Sequence, residues 1–469
     1  MTGGQPGRRE LRREQTIIGV SKERRSIFCL SRGRADAPRK VLIVAGQHGD
    51  ERPARRTVEA LLALPRGEVS RRLPNFQLSI IPEANPDGCA TRTRCNAAGI
   101  DLNRDHQLLS SEETVALHRF VRQWRPQVIL DLHSYPSRRQ HLLERNVVLN
   151  QDVFIDVPNH PAVLARSGHA VADEVLRGLL PALLEKEVRA ARYTIVEPSG
   201  RARHSTPDVV DARNGLALRY GVFTLLVENR QPRRDETAAE RLRLRTAQEQ
   251  ALCVILEWLD HHHGLFVPEP VSEPPTPGSA VPVGFKYRQH ENGLRLVCRE
   301  ADQGRPVNVT FSRYCASLVP RRTILLPPAY AVPTGFEELR GVLRRHGFAS
   351  TERREREVFS VEKLRIEAAR PSSRPGRSVR KLVLAPHPMS VELSDYEVFP
   401  TRQQGGEALA VFLEPESKHG LHRFAAMGLP LVAPSWYPVL RVYDENGFAS
   451  RHSSPIATFD SHDDPIENR

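Results

Sequence analysis

The stretch VLIVAGQHGDE, Val41 to Glu51, decides how the chain is read. Val41–Ala45 is a short apolar run of the kind that forms a strand covered on both faces. It breaks on Gly46, and His48 and Glu51 follow, two metal-ligand residue types separated by two positions. The next segment, RPARRTVEALLALP, sets Val58, Leu61 and Leu62 at helical spacing before Pro65 stops it. Strand followed by helix then recurs. Phe76–Ile81 is a second strand that ends in an N-P-D-G turn. SSEETVALHRFVRQW opens with serine caps and acids and keeps helical periodicity to Trp124. QVILDLHSY is a third strand and PAVLARSGHAVADEVLRGLL another helix. GVFTLLVEN is apolar enough to be buried on both faces. A long helix follows with Leu252, Ile255, Leu256 and Leu259 on one stripe. Such alternation predicts an α/β fold, a mostly parallel mixed sheet flanked by helices, over residues 17–265.

Other segments have a different character. Residues 1–16 read as a basic flexible arm. Residues 1–40 hold 11 Lys and Arg against 4 Asp and Glu, within a chain of net charge +12. No nucleic-acid motif accompanies that charge, so it reads as a solvated tail without a specific nucleic-acid partner. Residues 266–281 form a Pro-rich linker. Beyond it, LRLVC, RTILLPP, KLVLAP and ALAVFLEP are short apolar runs split by Pro and Gly around one clear helix, GFEELRGVLRRHG. Residues 282–469 are therefore expected to form a smaller, β-rich α+β accessory domain.

The 469 residues are 39% apolar and 26% charged, as in soluble globular chains. No run approaches the roughly 20 apolar residues of a membrane span. The amino terminus lacks the apolar core of a secretory signal, and the expected location is cytoplasmic. None of the six cysteines forms a C-x-x-C pair, and all are expected to be free thiols.

Four places carry polar residues at the carboxyl ends of predicted strands, the edge where open α/β sheets bind ligands. They are His48 with Glu51, the segment Thr91–Asp105, His133 in LDLHSY, and Glu228 after FTLLV. Two imidazoles and one carboxylate, His48, His133 and Glu51, make a catalytic zinc set with a fourth position left for water. Glu228 ends an apolar strand, an expensive place for a charge without a task. Arg104 has the planar fork that grips a carboxylate, although Asp101 or Asp105 could pair with it instead. Asp131 is expected to face away from His133. His261, His262 and His263 read as an exposed helix cap.

GQHGDE, NPDG, the RxNxxGxDLNR pattern from Arg94 to Arg104, DLHSY and a late strand-borne glutamate together resemble the zinc carboxypeptidase family, carboxypeptidase A-like. IIGVSKERRSI looks like that family's entry segment. GGEALAVFLEPESKHGLHRF and YPVLRV are similar to an accessory domain of bacterial members. The resemblance implies a zinc metallocarboxypeptidase that hydrolyses the C-terminal residue of a peptide. It implies Zn2+ held by His48, Glu51 and His133, Glu228 as general base and Arg94 stabilising the oxyanion. Asn103 and Arg104 would hold the substrate carboxylate. Bound zinc lowers the pKa of water to about 7.

Two features depart from the family pattern. Its usual loop tyrosine has no counterpart at the expected spacing, where only Tyr193 and Tyr220 are candidates. Arg213 falls where the side-chain pocket is usually lined, and it is expected to point outward. The competing reading is a zinc-dependent N-acyl amino acid deacylase of the desuccinylase and aspartoacylase kind, which shares H-x-x-E and D-L-N-R. NPDG and HSY favour the peptidase branch. Either substrate, peptide or acyl amino acid, carries a free carboxylate. A non-haem iron oxygenase would also use two histidines and a carboxylate, but it leaves Glu228, Asn103 and Arg104 without a role. A non-catalytic binding module would have lost ligands or base, and all are present.

Overall fold

A computed structural model describes residues 15–266, 274–352 and 358–443. Most of the basic arm and residues 267–273 of the Pro-rich linker lie outside these residues, as does the carboxyl-terminal stretch from 444. The main element is an eight-stranded mixed sheet. Its order is Gln15–Val20, Ser26–Gly33, Phe76–Ile81, Arg39–Val44, Val128–Tyr135, Phe223–Arg230, Val153–Asp156, Ala190–Arg192. The central four strands run parallel, from Phe76–Ile81 to Phe223–Arg230. Both outer parts contain antiparallel pairings. The fold class is thus the expected α/β arrangement.

Apolar content explains the centre. Val41, Ile43, Val128, Leu130, Leu225 and Val227 are buried in the cluster on one face, while Leu42, Val44 and Ile129 serve a second cluster on the other. Helices Arg52–Ala63 and Ala238–His261 cover the first face, and Glu112–Trp124 the second. Their ends follow local chemistry. Ser111 Oγ accepts from Thr114 N, and Thr237 with Glu240 closes a capping box. The long helix runs to His261, and the Nδ1 atoms of His261, His262 and His263 lie 2.7–2.9 Å from backbone carbonyls near its end. All six cysteines are free thiols. Among the described residues no helix is long and apolar enough to cross a membrane.

The region beyond residue 274 is β-rich and is woven into the first. Val147–Leu149 joins the sheet of Leu294–Glu300 and Pro306–Phe311. Ala202–Arg203 pairs in parallel with the start of Tyr314–Leu325. One apolar cluster combines Val163, Ala217 and Leu218 with Val281, Val332 and Leu409. A fragment ending at residue 266 would expose two strand edges and this apolar face. It is expected to aggregate on expression, as sedimentation would show; a soluble, cooperatively melting fragment would contradict this.

Candidate active site

Parallel strands deliver their carboxyl ends to one edge, and register decides which side chains meet there. Glu228 is directly paired with His133, and Asp131 with both Val44 and Leu226. After Val44 the chain turns through Gly46, at φ +69°, where a Cβ would press on the backbone of Glu83. Gly49 packs against Gly88 so closely that a Cβ would overlap its carbonyl, so the loop bearing His48 lies flat on the neighbouring turn. Glu51 immediately precedes helix Arg52–Ala63, where the helix dipole favours its charge. Ser134 N donates to Glu51 Oε2 at 2.8 Å.

These constraints converge His48, Glu51 and His133, all buried, with ligand atoms within 4.8 Å of one another. His48 Nδ1 is 2.7 Å from Glu51 Oε1, His133 Nδ1 is 3.0 Å from Glu51 Oε2, and the two Nδ1 atoms are 3.2 Å apart. Behind each ring stands another carboxylate. Asp101 Oδ1 is 2.9 Å from His48 Nε2, and Asp131 Oδ1 is 3.0 Å from His133 Nε2. A carboxylate accepts only, so each Nε2 donates to its aspartate, and each Nδ1, turned toward Glu51, would lend its lone pair to a metal ion on giving up its proton. Burial opposes charge on His133, but Asp131 and Glu51 outweigh it and hold its pKa well above the ordinary value. Such a pocket favours positive charge, and its two nitrogens and carboxylate suit a zinc ion.

Asp131 corrects an expectation. Residues two apart on a strand share a face, so Asp131 points the same way as His133. It is buried and also accepts from Gln47 Nε2 at 2.7 Å. Asp131→Asn is expected to weaken metal affinity roughly 10- to 100-fold. Competition against a chromophoric chelator would measure it, and unchanged affinity would count against the pairing.

Glu228 adjoins this set. Burial raises its carboxyl pKa, His133 and His48 oppose the rise and Glu51 adds to it, with a net shift to about 7. A small cavity of about 100 Å³ lies here, lined by Asn103, Arg104, Asp131, Tyr193, Asp211 and Glu228 among others. Tyr193, unplaced by its spacing, therefore belongs to the site's wall. Arg104 is exposed on that wall and has no ion-pair partner among the described residues. Its possible partners are engaged elsewhere: Asp101 by His48 and Arg94, and Asp105 by Ser110 and Ser111. Arg94 Nε donates to Asp101 at 2.9 Å, and its Nη1 lies 3.7 Å from Glu51 Oε1. Asn103 accepts from Ala212 N at 2.8 Å and sets its amide nitrogen 3.1 Å from His133 Nε2.

Arg213 does not point outward. It is 2% exposed and lines the same cavity, with Nη1 donating to Val157 O and Asn159 Oδ1 and Nη2 to Thr206 O. Asp211 Oδ2 is 3.5 Å away. Much of this guanidinium's donor capacity is spent on framing the pocket.

A buried relay leads away from the site. Gln47 Oε1 is 2.9 Å from His106 Nε2, His106 Nδ1 is 3.0 Å from His118 Nε2, and His118 Nδ1 is 3.0 Å from Tyr220 Oη. Gln47 and Asp101 supply contacts that motif spacing did not assign. Both sit inside the quoted motifs, which is the one signal that could have flagged them.

Residues 37–156 match the family of succinylglutamate desuccinylase/aspartoacylase catalytic domains. A probable carboxypeptidase 2 of Trichophyton verrucosum is 25% identical over 118 residues, 24% of this chain and 23% of the relative. Carboxypeptidase 2 of Trichophyton rubrum is 26% identical over 103 residues, 21% of this chain and 19% of the relative. The chain thus spans about a quarter or less of the curated relatives it matches. Among solved structures, a metallo-carboxypeptidase from Pseudomonas aeruginosa is similar at 20% identity and TM-score 0.41, over 53% of this chain and 64% of that one. The murein-tripeptide amidase MpaA from Escherichia coli O157 is similar at 20% identity and TM-score 0.35, over 55% of this chain and 98% of that one. The resemblance to zinc carboxypeptidases is borne out. The segment matched by the desuccinylase/aspartoacylase family, residues 37–156, carries His48, Glu51 and His133.

Proposed function

We propose that the chain is a zinc-dependent metallocarboxypeptidase that removes the C-terminal residue of a peptide. The observation that carries this is the placement of Glu228 beside the His48–Glu51–His133 set, with unpaired Arg104 on the wall of the same cavity. Zinc held by His48, Glu51 and His133 would supply Lewis acidity that activates water and polarises the scissile carbonyl. Glu228 accepts the proton of the attacking water. It then returns that proton to the amide nitrogen as the C–N bond breaks, leaving a carboxylate and a free amine. Arg94, beside Glu51 and Asp101, meets negative charge developing on the carbonyl oxygen. Arg104 offers its fork to the terminal carboxylate. Asn103, with its carbonyl occupied, contributes an amide N–H at most.

The second reading is an N-acyl amino acid deacylase, favoured by the family matched over residues 37–156. It uses the same residues on a shorter substrate. A library of peptides with free and amidated C-termini, assayed beside N-acyl amino acids, separates the two. Turnover of free-ended peptides supports the peptidase, and turnover of acyl amino acids alone supports the deacylase. Under both readings Arg104→Ala is expected to lower kcat/KM roughly 10- to 100-fold, chiefly through KM, by removing a charge-assisted contact. Loss of discrimination between free and amidated ends is the accompanying signature. Unchanged discrimination would remove Arg104 from the carboxylate site.

A further inference from the structure

A larger cavity, of about 470 Å³, lies at the opposite end of the main sheet. Lys40, Gln127, Val222 and Phe223 line it, all at the amino-terminal ends of the central parallel strands. The metal-type site occupies the carboxyl-terminal ends, so the two are distinct. Its volume falls within the range of small-molecule sites. Part of the wall is apolar, with Val121, Val163, Phe223 and Phe266.

The charge on this wall has one sign. Lys40, Arg122, Arg125 and Arg166 line it, and among the described residues no carboxylate does. Arg166 has Glu407 at 3.6 Å and donates to Ala217 O and Leu218 O. Lys40 Nζ donates to Trp124 O at 3.0 Å. Arg122 and Arg125 have no ion-pair partner among the described residues. Directly behind lies Arg219, buried and satisfied by three backbone carbonyls. Burial, with Arg122 and Arg166 nearby, pushes its pKa down to about 10. Among the described residues one carboxylate therefore faces five cations. Helix Glu112–Trp124 ends here and its carbonyl dipoles offset part of that charge. Dipoles of one helix end amount to about half a charge, which leaves most of the excess without a counter-ion among the described residues.

We propose that this cavity binds a small organic anion, a carboxylate or phosphate head held by Arg122 and Arg125 with its apolar body against Val121, Val163, Phe223 and Phe266. The site does not depend on the hydrolase reading. Tyr220, which ends the buried relay, also lines this cavity.

The test is calorimetric titration of the full-length, zinc-loaded protein with octanoate, octyl phosphate, inorganic phosphate and neutral octanamide. One or both of the octyl anions should bind one to one with a submillimolar Kd, and the pair together shows which head is preferred. Octanamide and inorganic phosphate should bind at least tenfold more weakly. The Arg122→Gln/Arg125→Gln double variant should lose at least tenfold in anion affinity while peptide or acyl amino acid turnover is unchanged. Val163→Trp, which fills the apolar end, should do the same. Arg104→Ala should leave octanoate binding intact, which separates this site from the catalytic cavity. Failure of both octyl anions to saturate would overturn the proposal. So would equal affinity for octanamide, equal affinity for inorganic phosphate, or full affinity in the double variant.

Discussion

Glu228→Gln is expected to lower kcat by roughly 10²- to 10⁴-fold, the range spanned by positioned general acids and bases. Glutamine keeps the shape and one carbonyl oxygen but cannot take a proton from water. Glu228 lies one strand over from His133 in direct register, so the substitution leaves His48, Glu51 and His133 untouched. Metal content should therefore stay at the wild-type level, and KM should change little. Steady-state kinetics beside metal analysis separates loss of the base from loss of the ion. A variant that retains more than about a tenth of wild-type kcat would remove Glu228 from the role.

The second large effect is acid destabilisation. His106, His118, His160, His204, His346, His419 and His422 are buried. Burial is the first cause of a lowered pKa at each, to about 4 at His106 and His204 and to about 3 at His346, His419 and His422. Below pH 6.5 the unfolded chain protonates these rings and the folded chain does not. The unfolded state then binds more protons, and stability falls as pH falls until the folded pKa values are reached. Each ring contributes about 1 kcal/mol per pH unit within that window. Burial also raises Asp152 and Asp211 to about 6 and, as the leading cause, Glu228 to about 7. These three act in the opposite direction, but the seven histidines outnumber them. Against a typical total of about 5–15 kcal/mol, cooperative unfolding is expected between about pH 6 and 4. Thermal melts across that range would show the drop, and a constant Tm from pH 7 to 4.5 would contradict it.

The α/β architecture and the convergence of His48, Glu51 and His133 were legible because long apolar runs have an unambiguous period. Their carboxyl ends fall on one sheet edge whatever the connecting loops do. Asp131 was misplaced through strand parity, an error that counting by two corrects. The inward turn of Arg213 depends on Val157 O and Thr206 O, carbonyls that no residue pattern advertises. Tyr193 reaches the cavity from an irregular segment whose path is set by tertiary packing. The interweaving of the late strands with the first region rests on pieces as short as Ala202–Arg203, too brief to show any periodicity.

The relay from Tyr220 to Asp131 has a handedness of its own. Asp131 as an anion can only accept, so Gln47 must present its amide to it. Each partner further out is then forced into one orientation: His106 and His118 give from Nε2, and Tyr220 gives its hydroxyl hydrogen. All of these local dipoles point their positive ends inward. An aligned column of uncharged groups thereby feeds electric field to a carboxylate sealed from water, and adds to the charge of His133 in keeping it ionised.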